Sequence, residues 1–300
     1  MAGKKFYYYR TLHKLRKFIQ PRVSIKLGHK TIIVPTDNVE ESITLYHWQP
    51  TWKTEIIRKL LPLKVGDFID IGANIGQTLF DFLAVQNQGK YIGFEPNLRC
   101  MNQLQKILHH NQLDNCNIVP IGLSNSNNIL TLYLNYGLPI DSAATTISNL
   151  RPERNFETHF IPCYCFDDIR ETLGIQAISL VKIDVEGAEL AVLEGMRNSL
   201  IEFKPLVICE VLYADSQANL EDYSQYVKDL MTLLIDIKYS VFRICKPNDA
   251  GNLEKIARIS SFPVKFWTKQ NANECDYLFV PEDEIGKITH LGIACEIVSL

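Results

Sequence analysis

The 300 residues are enough for one large domain or two small ones, and 46% hydrophobic against 22% charged residues is the balance of a globular chain with material for a sizeable core. A formal net charge of -3 argues against nucleic-acid binding, which calls for a strongly basic surface. No apolar run approaches the ~18 residues that a bilayer-spanning helix needs, and the start lacks the apolar stretch of a secretory leader, so a cytoplasmic protein is expected.

The charge is unevenly placed. The first 36 residues carry nine Lys or Arg and no acid, the first being Asp37. In "FYYYRTLHKLRKFIQ" aromatics stand beside basics, a pattern that suits a solvated leading helix or peripheral contact with an anionic membrane. Residues 1–22 are expected to be dispensable for ligand binding. Residues 23–35, "VSIKLGHKTIIVP", read as two short strands around Gly28 and His29. Residues 1–47 are therefore taken as a basic helix-and-strand cap, and 48–300 as the main domain. A helix is expected over 48–62, with Trp48, Trp52, Ile56, Leu60 and Leu61 on one face and Pro62 closing it.

From there the chain alternates. Strand-like runs fall at 67–72, 90–95, 116–123, 178–184, 206–211, 240–245 and 276–280. Helical patterns lie between many of them, at 76–86, 97–111, 187–200 and 219–236. This alternation predicts an α/β fold: a doubly wound, seven-stranded, mostly parallel sheet with both faces covered. The last run, "CDYLFV", follows too short a connection for a parallel crossover, so it is expected to be reversed, at the sheet edge. "ILTLYLNYG" and "FIPCYCF" form an added strand pair around an irregular loop. The eight cysteines are scattered without a CxxC or a zinc-type Cys/His cluster, as in a protein of reduced, mostly buried thiols.

Two places carry chemistry. In "FIDIGANIGQ" a buried strand ends in Asp70, and Gly72, Asn74 and Gly76 form the turn into a helix. Glycines there allow close backbone approach to a ligand, and Asn tolerates the left-handed conformation where a dinucleotide fingerprint has its middle glycine. Asp70 would repel a pyrophosphate but suits a cationic group. Glu95, at the end of the next strand in "YIGFEP", can accept from ribose hydroxyls. A nucleoside bearing an amino acid and a positive charge satisfies both acids, which describes S-adenosylmethionine. The second place is "SLVKIDVEGAELAVLEGM", where Asp184 ends a buried strand and Glu186, Gly187 and Glu189 open a helix. Glu189 suits either a ligand or the helix dipole. "PLVICEV" repeats the device with Glu210.

In this order, "FIDIGANIG", "GFEP", "CFDDI", "VKIDVEGAELAVLEG" and "ICEV" closely resemble the FkbM-type family of class I S-adenosylmethionine-dependent methyltransferases, over about residues 48–281. The resemblance implies the Rossmann-like class I sheet with its reversed last strand. It also implies O-methylation of hydroxyl groups on sugars, glycans or secondary metabolites such as polyketides. By position, Asp70, Gly72, Asn74 and Gly76 would border the methionine part of the donor, Glu95 would hold the ribose and Ser124 would lie near the adenine. Asp184 would sit beside the sulfonium and the acceptor hydroxyl, and the loop "DSAATTI" (141–147) would shape the acceptor pocket.

An alcohol attacks well only as a base takes its proton. Asp184 is the first candidate base, followed by Glu210 and His159, the last of which equally reads as a solvated surface histidine. Two adjacent strand-end carboxylates would share a proton or hold a cation, and Mg²⁺ on Asp184 and Glu210 is the alternative to direct base catalysis. Two further readings stay open: an NAD-dependent oxidoreductase, whose ribose Glu95 would also suit, and a non-catalytic module keeping the fold.

Overall fold

The computed structural model describes residues 22–28, 30–35, 44–85, 89–136, 141, 144–147, 156–247, 251–289, 291 and 294–297. The leading basic segment and His29 lie outside these. β1 (Arg22–Leu27) and β2 (Lys30–Pro35) pair as an antiparallel hairpin, with Gly28 at φ +60° in the turn. α1 (Trp52–Leu60) begins later than its apolar spacing suggests, because Thr51 caps it. The Thr51 side chain accepts from the Lys53 N–H, and the Thr54 side chain accepts from the Thr51 N–H. A single 3₁₀ turn containing Pro62 ends the segment.

The alternating part follows as β3 (Asp67–Ile71), α2 (Gln77–Val85), β4 (Tyr91–Phe94), α3 (Leu98–Asn111) and β5 (Cys116–Val119). The run expected to continue to residue 123 breaks there, and β6 (Gly122–Leu123) joins β7 (Asn128–Asn135) and β8 (Phe156–Tyr164) in a separate three-stranded sheet. This is the expected added strand pair, with β7 and β8 antiparallel. After α4 (Phe166–Ile169) come β9 (Ile178–Ile183), α5 (Glu189–Gly195), α6 (Arg197–Phe203), β10 (Leu206–Glu210), α7 (Leu220–Asp236), β11 (Tyr239–Cys245), β12 (Lys255–Ile259), β13 (Asp276–Pro281), α8 (Ile285–Thr289) and β14 (Ala294–Ile297).

The main sheet has nine strands in the order β5-β4-β3-β9-β10-β13-β11-β12-β14. All seven expected strands are in it, and β12 and β14 extend it. The five from β5 to β10 run parallel, and β13 is antiparallel to both its neighbours. The expected reversal of the last run is present, but its place is not the edge: β13 inserts between β10 and β11. Short connections to β11 favour an antiparallel neighbour, and pairing on both sides removes an edge instead of leaving one.

β9 is buried at every position, as a strand covered on both faces must be. Phe68 and Leu180 point to one face, with Ile56, Leu60, Phe80 and Leu104. Ile69 and Val181 point to the other, with Leu193, Met196, Leu230 and Leu234. The β1–β2 hairpin joins the first core through Ile25, Leu27, Ile32 and Val34. Its backbone is also tied to α3: Asn111 receives the Ile33 N–H at 2.7 Å and donates to the Ile33 carbonyl at 2.8 Å. Among the described residues no helix is long and apolar enough to cross a membrane. Among the described residues no disulfide joins Cys100, Cys116, Cys163, Cys165, Cys209, Cys245 or Cys275, most of which are buried.

Candidate active site

The carboxyl ends of β3, β4, β9 and β10 converge on a cavity of about 360 Å³, the place where open α/β sheets bind ligands. After β3 the chain turns sharply, with Gly72 at φ +80°, Asn74 at +47° and Gly76 at +106°. The turn is pinned by the Gly72 and Ala73 N–H groups, both donating to the Phe94 carbonyl. A Cβ on Gly72 would lie 1.9 Å from the Asp184 carbonyl oxygen, so only glycine fits between the two strand ends. Gly76 is a packing glycine: its Cβ would meet Leu104 at 2.8 Å, and it does not line the cavity.

Glu95 does line it, almost fully buried. Its two oxygens accept the Asn74 and Asn97 N–H groups, each at 2.7 Å. Burial pushes its carboxyl up to about 7 against the pull of those two donors. Asn74 thus fulfils the expected left-handed role and adds one that was not anticipated, by orienting Glu95.

Asp70 is placed differently from its expected position. It has no solvent exposure and does not line the cavity. One oxygen accepts the Tyr91 hydroxyl, and the other lies 3.3 Å from the Lys182 ammonium. Lys182, itself buried, also donates to the Gly72 carbonyl at 3.0 Å and pairs with Asp184 at 3.3 Å. The positive charge that Asp70 faces is therefore the chain's own. Lys182 was overlooked in the motif, although a lysine inside the apolar "SLVKI" was the signal: a cation there needs a buried partner.

Asp184 and Glu210 are brought together, at the ends of paired strands and both on the cavity wall. Burial works to raise Asp184, but the ammoniums of Lys182 and Lys53, with hydrogen bonds from Glu210 and Lys182, hold its carboxyl below the usual range. Burial, and then the neighbouring Asp184 and Asp276 charges, drive Glu210 far above it. The two carboxyls are thus driven in opposite directions, with Glu210 the one that favours its proton and Asp184 the one that favours its charge. Lys53 from α1 also lines the cavity, and spacing alone gave no reason to select it.

His159 is not brought to this pair. It sits on β8 with its side chain about a third exposed, paired with Glu157 at 2.8 Å, away from the cavity wall. Ser124 lies just behind the wall that Gly122 and Leu123 form, with its N–H on the Tyr164 carbonyl. Its own carbonyl occupies the space a Cβ on Gly195 would need, at 1.9 Å. Glu189 is internal, accepting the Gly187 N–H at 2.8 Å and the Tyr226 hydroxyl at 2.6 Å. From the expected acceptor loop, Asp141, Ala144 and Thr146 line the cavity, while Ser142 and Ala143 lie outside the described residues. Thr145 fastens this loop to the second motif by donating to the Glu186 carbonyl at 2.7 Å.

Mg²⁺ does not fit the donor set. Among the described residues no three metal-type ligands converge, and Lys182 already supplies the cation beside Asp184.

By sequence, residues 70–243 match the methyltransferase FkbM domain. Among solved structures, a methyltransferase FkbM from Methylobacillus flagellatus KT is 20% identical, with a TM-score of 0.42, over 63% of this chain and 42% of that one. This chain thus spans less than half of that protein. The precorrin-6y C5,15-methyltransferase of Geobacter metallireducens GS-15 is 12% identical, with a TM-score of 0.34, over 76% of this chain and 84% of that one. Aeropyrum pernix fibrillarin, solved with natively bound S-adenosyl-L-methionine, is 11% identical, with a TM-score of 0.41, over 86% and 92%. No curated protein matches.

Proposed function

The chain belongs to the methyltransferase FkbM domain family, and we propose that it moves the methyl group of S-adenosylmethionine onto a hydroxyl oxygen of a sugar, glycan or secondary metabolite. The observation that carries this reading is the placement of Asp184 and Glu210, at the ends of paired strands, on the wall of the same cavity as buried Glu95.

The residues fit the donor. Glu95 presents a buried carboxyl preset by two backbone donors, a natural acceptor for ribose hydroxyls. The left-handed turn at Gly72–Asn74 brings bare backbone to the cavity wall. Among the lining acids Asp184, held towards its charged form, suits a ligand that carries an ammonium and a sulfonium. When bound, the donor supplies an electrophilic methyl carbon on positively charged sulfur.

The chain's own work is placement and charge. Asp184, kept ionised by Lys182, accepts the hydrogen bond of the acceptor hydroxyl and fixes its oxygen. That hydroxyl becomes strongly acidic only as its oxygen forms a third bond, to the methyl carbon, and takes up the positive charge that sulfur loses when the carbon–sulfur bond breaks. A carboxylate of low basicity therefore suffices to take the proton. Glu210, which favours its proton, holds the other face of Asp184 and keeps it from turning away. His159 has no part in this account. Family membership favours this reading over the oxidoreductase alternative.

The test pairs transfer with binding. Metabolites and glycans from wild-type and gene-deleted cells are compared for a mass difference of one methylene, and the acceptor found is then methylated in vitro. Asp184→Asn should lower turnover at least about a hundredfold while S-adenosylhomocysteine affinity stays within about tenfold. Near-normal turnover by this variant would overturn the role of Asp184. Donor binding with no transfer to any acceptor would instead favour a binding module.

A further inference from the structure

We infer that Lys53 is the anchor for the α-carboxylate of the methyl donor, an inference that rests on the donor proposed above. The argument begins with the charges on the cavity wall. Among the described lining residues there are five carboxyl groups, on Glu95, Asp141, Asp184, Glu186 and Glu210, and two cations, Lys53 and Lys182. The donor's ammonium and sulfonium meet acids on several sides. Its carboxylate does not, and an anion in an acid-lined cavity needs a cation of its own.

Lys182 is not available for that. Its three protons already face Asp70, Asp184 and the Gly72 carbonyl at 3.0–3.3 Å, and it is almost wholly buried. The Lys53 ammonium, by contrast, makes no ion pair with the described residues. It rests over the Trp52 ring, 5.7 Å from its centre, and reaches the acids only as a field, on Asp81, Asp184 and Asp276.

The stem that carries it is fixed. The Thr51–Thr54 capping box holds the first turn of α1, Thr54 donates to Asp81 of α2, and the Trp52 N–H donates to the Gly251 carbonyl at 2.9 Å. Trp52 is further clamped by Lys246, whose ammonium lies 4.1 Å from the ring centre. A half-buried lysine on a rigid turn, facing a cavity and lacking a contacting anion among the described residues, is preorganised to receive one. Lys53 lies on α1, before the segment that matches the family model.

Calorimetry with two probes tests the inference. S-adenosylhomocysteine carries the carboxylate, and 5′-methylthioadenosine lacks the whole amino-acid head while keeping the nucleoside. Lys53→Met should weaken S-adenosylhomocysteine about ten- to a hundredfold, the scale of a charge-assisted hydrogen bond, and move 5′-methylthioadenosine by less than about twofold. Lys53→Arg should restore the first ligand to within a few-fold of wild type, and melting curves of both variants should confirm folding. A change of less than about twofold for S-adenosylhomocysteine overturns the inference, as does equal weakening of both ligands, which would make Lys53 a wall of the pocket. Wild-type protein that binds neither probe overturns the donor reading itself, a result distinct from either of these.

Discussion

Replacing Lys182 by methionine removes one ammonium and leaves two carboxylates and a carbonyl that it had served. The methionine fills nearly the same volume, so the effect is electrostatic. Asp70 is the more exposed to harm, because it has no contact with water and keeps only the Tyr91 hydroxyl. Breaking a buried ion pair from one side costs about 3–5 kcal/mol. At about 2 °C per kcal/mol for a chain of this size, the melting temperature should fall by about 6–10 °C. The double variant Lys182→Met/Asp70→Asn removes the stranded charge, and it should melt well above the single variant.

The kinetic consequence is separate. Lys182 helps hold Asp184 ionised, so its loss should carry the acid limb of the rate profile to higher pH. The double variant should keep that displaced limb while regaining stability. Thermal melts and kcat/KM between pH 5 and 9 measure both. A single variant that melts within about 1 °C of wild type, with an unmoved limb, would refute the reasoning.

Glu210→Gln still offers a donor to Asp184, so turnover should stay within about tenfold of wild type, whereas Glu210→Ala should fall further; equal losses would show that Glu210 does more than donate. Ribose hydroxyls bind the ionised form of Glu95, so S-adenosylhomocysteine affinity should rise with pH up to about 7 and then level off. Glu95→Ala should weaken that affinity by about 1–3 kcal/mol and flatten the dependence in calorimetry. The same shift acts on folding: the native carboxyl holds its proton up to about 7, the unfolded one only to about 4.5, so this group's contribution to stability falls as pH rises across that window. Gly195→Ala sets two effects against each other: a helix gains about 1 kcal/mol from alanine, but the new Cβ would lie 1.9 Å from the Ser124 carbonyl oxygen. Overlap with backbone wins, and the variant should melt lower than wild type.

The parallel part of the fold was legible because its strands are apolar runs separated by amphipathic helices, and β9 and β10 need no tertiary information to be found. The place of β13 was not. Its reversal follows from a short connection, but insertion between β10 and β11 depends on which strand accepts its hydrogen bonds. β12 and β14 are short runs whose pairing only the assembled edge supplies. α1 was drawn too long because Trp48 continues the apolar spacing, while the Thr51 cap decides the start.

The site divides along the same line. Glu95, Asp184 and Glu210 were legible because an acid at the end of a buried strand has one place to go, the crevice at the sheet's carboxyl edge. Asp70 looked like one of them, yet it stands one step further back. Its register partner in β9 is Lys182, so the first motif's acid and the second motif's base lie side by side across two adjacent strands. Neither motif contains that pairing; the sheet creates it, with Gly72 and the lysine that grips its carbonyl 110 positions apart in the chain. A slip of one residue in this register would turn Lys182 to the opposite face and strand both charges among aliphatic side chains. The buried pair is therefore poorly explained as a source of stability, since well-packed apolar residues would serve as well. It is better explained as what holds the glycine turn and Asp184 in one fixed relation, so that two walls of the cavity are set by a single lysine.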